Sequence, residues 1–200
     1  MTDTVPEREI RADYDDQTVV VYQAYRAEIA LPTVAHNRFV PPFSRDRMTW
    51  IKPSFLWMME RSGWGRKPGQ EHILAIRITR AGWEEALAQA VLTSFAPGVY
   101  RDFDDWQRQL AAAPVRVQWD PERTLTGASL RQRAIQVGLS RHIVARYVDV
   151  WTREIRDCTP LVHRIYEQRQ AGETTKARAL LPRERAYPLD AAIARRLGMG

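Results

Sequence analysis

Two hundred residues, 44% hydrophobic and 27% charged, suffice for one domain with its own core and exclude a disordered or fibrous chain. The net charge of +6 is uneven: residues 1–120 carry fifteen Lys/Arg against sixteen Asp/Glu, and residues 121–200 carry fifteen against eight. Cys158 is the only cysteine, which excludes an intramolecular disulfide and with it a stapled secreted domain. No apolar run reaches the ~18 residues of a membrane span. Met1 to Asp16 is polar and acid-rich, without the basic and apolar regions of a signal peptide. A cytoplasmic location without membrane contact is the expectation.

The chain divides into a flexible N-terminus over 1–17, a strand-rich core over 18–139 and a basic helical segment over 140–200, all in one domain. Thr18 to Tyr25 (TVVVYQAY) is β-branched and aromatic and predicts a buried strand. A helix is expected from Arg26, with Pro32 at a helix start or a kink. Phe39 to Arg47 reads as a loop and Met48 to Lys52 as a short strand. Pro53 is suited to open a helix through Phe55, Leu56, Met58 and Met59, ended by Gly63. His72 to Thr79 (HILAIRIT) alternates as a strand, and Ala81 to Ser94 places Trp83, Leu87, Ala90 and Val91 on one helical face.

A short helix over Asp104 to Ala112 closes at Pro114. Val115 to Trp119 alternates as a half-buried strand, and Asp120-Pro121-Glu122-Arg123 reads as a turn. Arg133 to Leu139 (RAIQVGL) is a last strand, after which Ser140 caps a long helix beginning RHIVARYVDVW. Thr159-Pro160 opens another helix, and short basic helices follow Gly172, broken at Pro182 and Pro188. The order predicts an α+β fold: a small, twisted, mixed or antiparallel sheet flanked by helices, with a helical C-terminal segment.

Several motifs are absent. There is no Walker-type loop, no GxSxG elbow and no HExxH, and the four histidines lack ligand spacing, so no metal site is expected. Three positive signals remain, each with a plain structural alternative. The loop Gly63 to Gly69, with Arg66 and Lys67, presents backbone N–H groups and charge suited to a phosphate, or is simply a flexible connection. Gln23, Lys52 and Gln136 are polar residues inside apolar strands; with Tyr22, Tyr25, Trp50 and Arg133 they line one pocket or face solvent. Arg141, Arg146, Arg153, Arg156 and Arg164, interleaved with Tyr147, Trp151 and Tyr166, suit a nucleic-acid surface or an ordinary amphipathic helix.

The blocks TWIKPSFLWMM, RSGWG, PGQE and ILAIRI stand in order after VYQAY and before VQWDPER and RAIQVGL. Over roughly Arg8 to Val162 this pattern resembles the family called domain of unknown function 4291, from which it departs at Pro32. The same succession, a strand ending in a polar-aromatic motif and a second strand running into a helix, is similar to the ADP-ribosyltransferase-like architecture. That likeness implies an NAD cleft between two small sheets. Tyr22, Gln23, Tyr25 and Arg26 would then form its first motif, Trp50, Lys52 and Ser54 its second, and Gln136 its third.

The chemistry implied is displacement of nicotinamide through an oxocarbenium-like state. Gln136 and Lys52 are its catalytic candidates, and Arg26 or Arg133 would hold the pyrophosphate. Gln136 hydrogen-bonds a ribose hydroxyl but does not act as a base, so a carboxylate is missing, with Glu60 and Glu71 as the candidates to replace it. The sequence by itself does not establish the function. A nucleotide (NAD-type) binding enzyme, a nucleic-acid-binding module built on the C-terminal arginines and a protein-interaction domain are the competing readings, and fold analogy alone does not choose among them.

Overall fold

A computed structural model describes residues 6–199. Its elements in chain order are β1 (Arg11–Ala12), β2 (Thr18–Tyr25), α1 (Ala27–Ala35), β3 (Thr49–Ile51), α2 (Phe55–Ser62), β4 (His72–Thr79), α3 (Arg80–Ala88), β5 (Ala90–Leu92) and α4 (Phe103–Ala112). They continue with β6 (Val115–Arg123), β7 (Ser129–Leu139), α5 (Arg141–Arg146), a π-helical turn (Tyr147–Trp151), β8 (Thr152–Asp157), α6 (Thr159–Gln170), α7 (Thr174–Ala179), β9 (Arg185–Ala186) and α8 (Ala191–Arg196).

The α+β expectation holds, with the strands divided between two small sheets and a terminal ribbon. One sheet has the order β2-β4-β8, the other β3-β7-β6-β5, and β1 pairs with β9. All pairs are antiparallel except β5 with β6. The sheets meet where β2 passes β3: Tyr22 bridges Lys52, and the Tyr22 amide donates to the Lys52 carbonyl at 2.7 Å.

β2 can be almost wholly apolar because both of its faces are covered. Val19, Val21 and Tyr25 enter a large core with Ile51, Val117, Val137 and the α3 residues Trp83 and Leu87. Val20 and Tyr22 point the other way, into a second core with Phe55 and Met58 of α2 and Val162 and Ile165 of α6. Alternation therefore assigns neighbouring side chains of one strand to different compartments.

Several expectations are corrected. The helix expected through Ser94 ends at Ala88, and Ala90–Leu92 form β5 beside β6. A three-residue strand buried at every position has no alternation to reveal it. The turn expected at Asp120–Arg123 is strand, and the reversal falls at 124–128. Pro121 is tolerated because β5 accompanies β6 only through Val117, leaving no ladder partner on that side for the missing N–H.

The long helix expected after Ser140 stops at Arg146, passes through the π-turn and becomes β8. Arg146, Arg153 and Arg164 consequently lie on α5, β8 and α6 and form no single helical stripe. The segment 140–200 is basic but not wholly helical. At the other end, part of the segment expected to be flexible is built into the fold: Ile10 and Ala12 are buried, and β1 pairs with β9. The part of that expectation that falls on residues 1–5 lies outside the described residues.

Candidate functional site

Where β2 and β3 separate beyond the Tyr22–Lys52 bridge, a cavity of about 590 Å³ opens among Tyr25, Arg26, Phe43, Arg47 and Arg61. A second space of about 250 Å³ shares Tyr25 and Arg47 with it and is lined by Gln23, Trp50 and Lys52. Among the described residues, no aspartate or glutamate lines either space. Arg26 has a loose partner, Glu28, at 3.6 Å. Among the described residues, neither Arg47, Arg61 nor Lys52 has a carboxylate within 4.0 Å.

The arginines come from three local solutions. Arg26 is the N-cap residue of α1, immediately after β2. Arg47 ends the proline-containing loop before β3, and Arg61 sits on the last turn of α2. Ser54 caps α2 by accepting from the Trp57 amide at 3.2 Å, and Gly63 ends it with φ 59°, a left-handed conformation that favours glycine. The glycine loop reaches the cleft through Gly69 and Gln70, but the Gly69 N–H is already taken by the Glu71 carboxylate at 2.7 Å.

Gln23 ties the two sheets together. Its amide nitrogen donates to the Trp50 carbonyl at 3.1 Å, and its oxygen accepts from the Tyr147 hydroxyl at 2.7 Å. Gln23 is 4% exposed, so Tyr147→Phe leaves a buried acceptor without its donor. The expected cost is about 1–3 kcal/mol, read from the urea unfolding midpoint. An unchanged midpoint would show that water reaches Gln23.

Lys52 is half-buried, and its ammonium donates to the Trp50 carbonyl at 3.1 Å. The Trp57 ring centroid lies 5.9 Å from the nitrogen. Burial, with Arg61 adding repulsion, pulls the amine down to about 7, against the attraction of Asp120. Asp120 is itself held in place: Gln136 donates to one carboxylate oxygen at 2.7 Å and Gln118 to the other at 2.8 Å. Gln118 pairs with Gln136, and Trp50 pairs with Gly138. A Cβ on Gly138 would come within 3.0 Å of the Trp50 indole, so glycine there lets the ring lie across the strand.

The structure thus brings Gln23, Tyr25, Arg26, Trp50 and Lys52 around two adjoining spaces; Gln136 lines neither and is bound to Asp120. Three sequence candidates lie elsewhere. Tyr22 faces the second core against Phe55, because it alternates with Gln23. Ser54 is buried as a helix cap. Arg133 binds Glu7 at 3.2 Å and borders a different pocket with Glu9 and Glu122, since odd and even residues of β7 face opposite ways. Convergence of Arg133 with Lys52 and Gln136 is therefore absent.

Sequence reasoning missed Asp120, Arg47 and Arg61. Extending the alternation of VRVQW by one residue would have placed Asp120 on the Gln118 face; the loop and helix-end arginines carry no local signal. Glu60 reaches Arg123 at 4.0 Å and Glu71 caps its own loop, so neither lines the cleft. Cys158 donates to the Ile73 carbonyl, and burial pushes its thiol up to about 12, which favours the neutral thiol at neutral pH. Among the described residues there is no cluster of His, Cys, Asp and Glu suited to a metal, and no helix is long and apolar enough to cross a membrane.

A family model described as a domain of unknown function (DUF4291) matches residues 9–187 of the chain. No curated protein matches it.

Proposed function

From a chain that belongs to the DUF4291 family, whose description carries no activity, we propose a nucleotide-binding enzyme that uses the cleft between its two sheets. The observation that carries this reading is the lining: Arg26, Arg47, Arg61 and Lys52 with no carboxylate among them. Cations around a concave space, of which only Arg26 has a carboxylate partner, favour a polyanion, and guanidinium forks match phosphate oxygens in pairs. The larger space, about 590 Å³, falls within the range of small-ligand sites. Tyr25 and Trp50 add aromatic surface suited to a base or nicotinamide ring.

The concrete form is transfer from an NAD-type dinucleotide in an ADP-ribosyltransferase-like cleft. Two small sheets meeting at β2 and β3, with Gln23, Trp50 and Lys52 beside the seam, support it. Arg26, Arg47 and Arg61 would grip the pyrophosphate. Nicotinamide would leave with the electrons of its C–N bond, and an acceptor hydroxyl or amine would supply a pair to the ribose carbon and release a proton. Asp120, held by Gln118 and Gln136 behind the lining, would stabilise positive charge as it develops without touching the ligand.

Titration calorimetry with ADP-ribose and NAD tests the reading. Arg47→Ala and Arg61→Ala are each expected to weaken binding about tenfold or more, the loss of ~1.4 kcal/mol or more, with unfolding midpoints unchanged. Both residues are exposed, so the fold should tolerate the replacements. Wild-type affinity in both variants, or no binding by the wild type, would overturn the site.

A further inference from the structure

The chain carries thirty basic residues, of which only Lys52, Lys67 and Lys176 are lysines. Arginine alone would serve to hold phosphate. A lysine differs in being able to give up its proton and become a nucleophile. One of these three lies in the anion cleft, at the seam between the sheets, whereas Lys67 and Lys176 are exposed elsewhere.

We propose that Lys52 is a nucleophilic amine, and that the cleft takes a phosphorylated compound with a free or latent aldehyde, a reducing phosphoribose being the class that fits. The inference rests on the nucleotide reading for its phosphate contacts and adds the substrate class and the covalent step. Four features of the site support it. Among the described residues the Lys52 nitrogen has a single acceptor, the Trp50 carbonyl at 3.1 Å, and no carboxylate within ion-pair distance holds its charge. Trp57 shields it on one side at 5.9 Å. Arg47 lines the same space as Lys52, and Arg61 lines the adjoining one, so a phosphate held there belongs to a ligand whose carbonyl approaches the amine. Burial and Arg61 together favour the neutral amine near pH 7.

The step balances without an oxidant. The Lys52 lone pair forms a bond to the aldehyde carbon, and the carbonyl π electrons move to oxygen, which takes up a proton. Nitrogen loses a proton to give the carbinolamine. Its lone pair then expels the oxygen, which takes up a second proton and leaves as water, and nitrogen gives up its remaining proton to leave an imine. Asp120, fixed by two glutamine amides, attracts the positive charge that the nitrogen carries during the step, and the protons pass through water.

The test uses pyridoxal 5′-phosphate, which carries an aldehyde and a phosphate in one small molecule, on the intact chain. Borohydride reduces any imine to a stable secondary amine, and peptide mass spectrometry locates it. Lys52 should be labelled at least about tenfold faster than Lys67 and Lys176, because exposed lysines remain protonated at neutral pH. ADP-ribose should slow that labelling, and Lys52→Arg should lose the label. Pyridoxal without phosphate should label Lys52 slowly; equal rates would overturn the phosphorylated class. ADP-ribose binding without preferential labelling of Lys52 would keep the nucleotide site and refute the amine. Preferential labelling that ADP-ribose does not slow would keep the amine and refute the nucleotide reading.

Discussion

Adding one methyl group at Gly82 is expected to destabilise the protein by about 3 kcal/mol or more, even though alanine favours helices over glycine by ~1 kcal/mol. Gly82 lies in the first turn of α3, where its amide donates to the capping Thr79 hydroxyl at 3.1 Å. A Cβ there would stand 2.3 Å from Trp151 Cγ and 2.4 Å from Cδ1. Trp151 is 2% exposed and sits at the end of the π-turn, so its ring has no free space to enter. Either α3 lifts from the core or the turn repacks, and each route exposes apolar surface. Urea unfolding of Gly82→Ala should show the loss. Combining it with Trp151→Leu should cost clearly less than the sum of the single changes, since the second removes the clash created by the first. Additive effects, or a Gly82→Ala protein as stable as the wild type, would refute this account of the contact.

The second large effect is a pH dependence that belongs to Glu184. Its carboxyl accepts from the Phe55 amide at 2.7 Å, at the start of α2. Burial, with Glu122 nearby, nevertheless raises it to about 8 despite that hydrogen bond. Glu122 is also raised, chiefly by burial. In the unfolded chain Glu184 ionises near its ordinary value, ~4.5. Between roughly pH 4.5 and 8 the folded state therefore keeps a proton that the unfolded state has lost. The stabilisation is complete below that window and is lost as pH rises through it, at up to ~1.4 kcal/mol per pH unit from this group.

Glu184→Gln keeps an acceptor for Phe55 and removes the titration. Its unfolding free energy should fall less steeply than that of the wild type between pH 5 and 8 and should exceed it above pH 8. Comparing the two proteins cancels the other titrating groups to first order, because they are common to both. Parallel pH profiles would show that Glu184 is ionised in the folded protein. The loss bears on function as well as stability: Glu184 closes the start of α2, and α2 carries Trp57 and Arg61 to the cleft.

Much of the secondary structure was legible because it rests on local chemistry. TVVVYQAY and HILAIRIT declare strands by β-branching, and Thr159-Pro160 marks a helix start that the structure has at α6. Thr152–Asp157 was illegible for an equally physical reason. It is an edge strand with one buried apolar residue, Ile155, among charged neighbours, and its pairing with β4 supplies what its own pattern lacks. The site divides in the same way. Gln23, Trp50 and Lys52 stood out as polar or aromatic interruptions of apolar strands. Which side of the sheet each would occupy depended on the register of β3, β6 and β7.

The amino-acid sequence by itself determined the fold class, the family, the principal strands and helices, and the presence of polar residues within buried strands. These follow from periodicity, capping residues and turn chemistry, which act over a few residues. Only the tertiary structure decided that Arg133 and Tyr22 face away from Lys52, that Asp120 is held by Gln118 and Gln136, and that Arg26, Arg47 and Arg61 share one cleft. Those outcomes depend on strand pairing and helix placement between residues far apart in the chain. One residue of strand register moves a side chain to the opposite face, and no local signal records that choice.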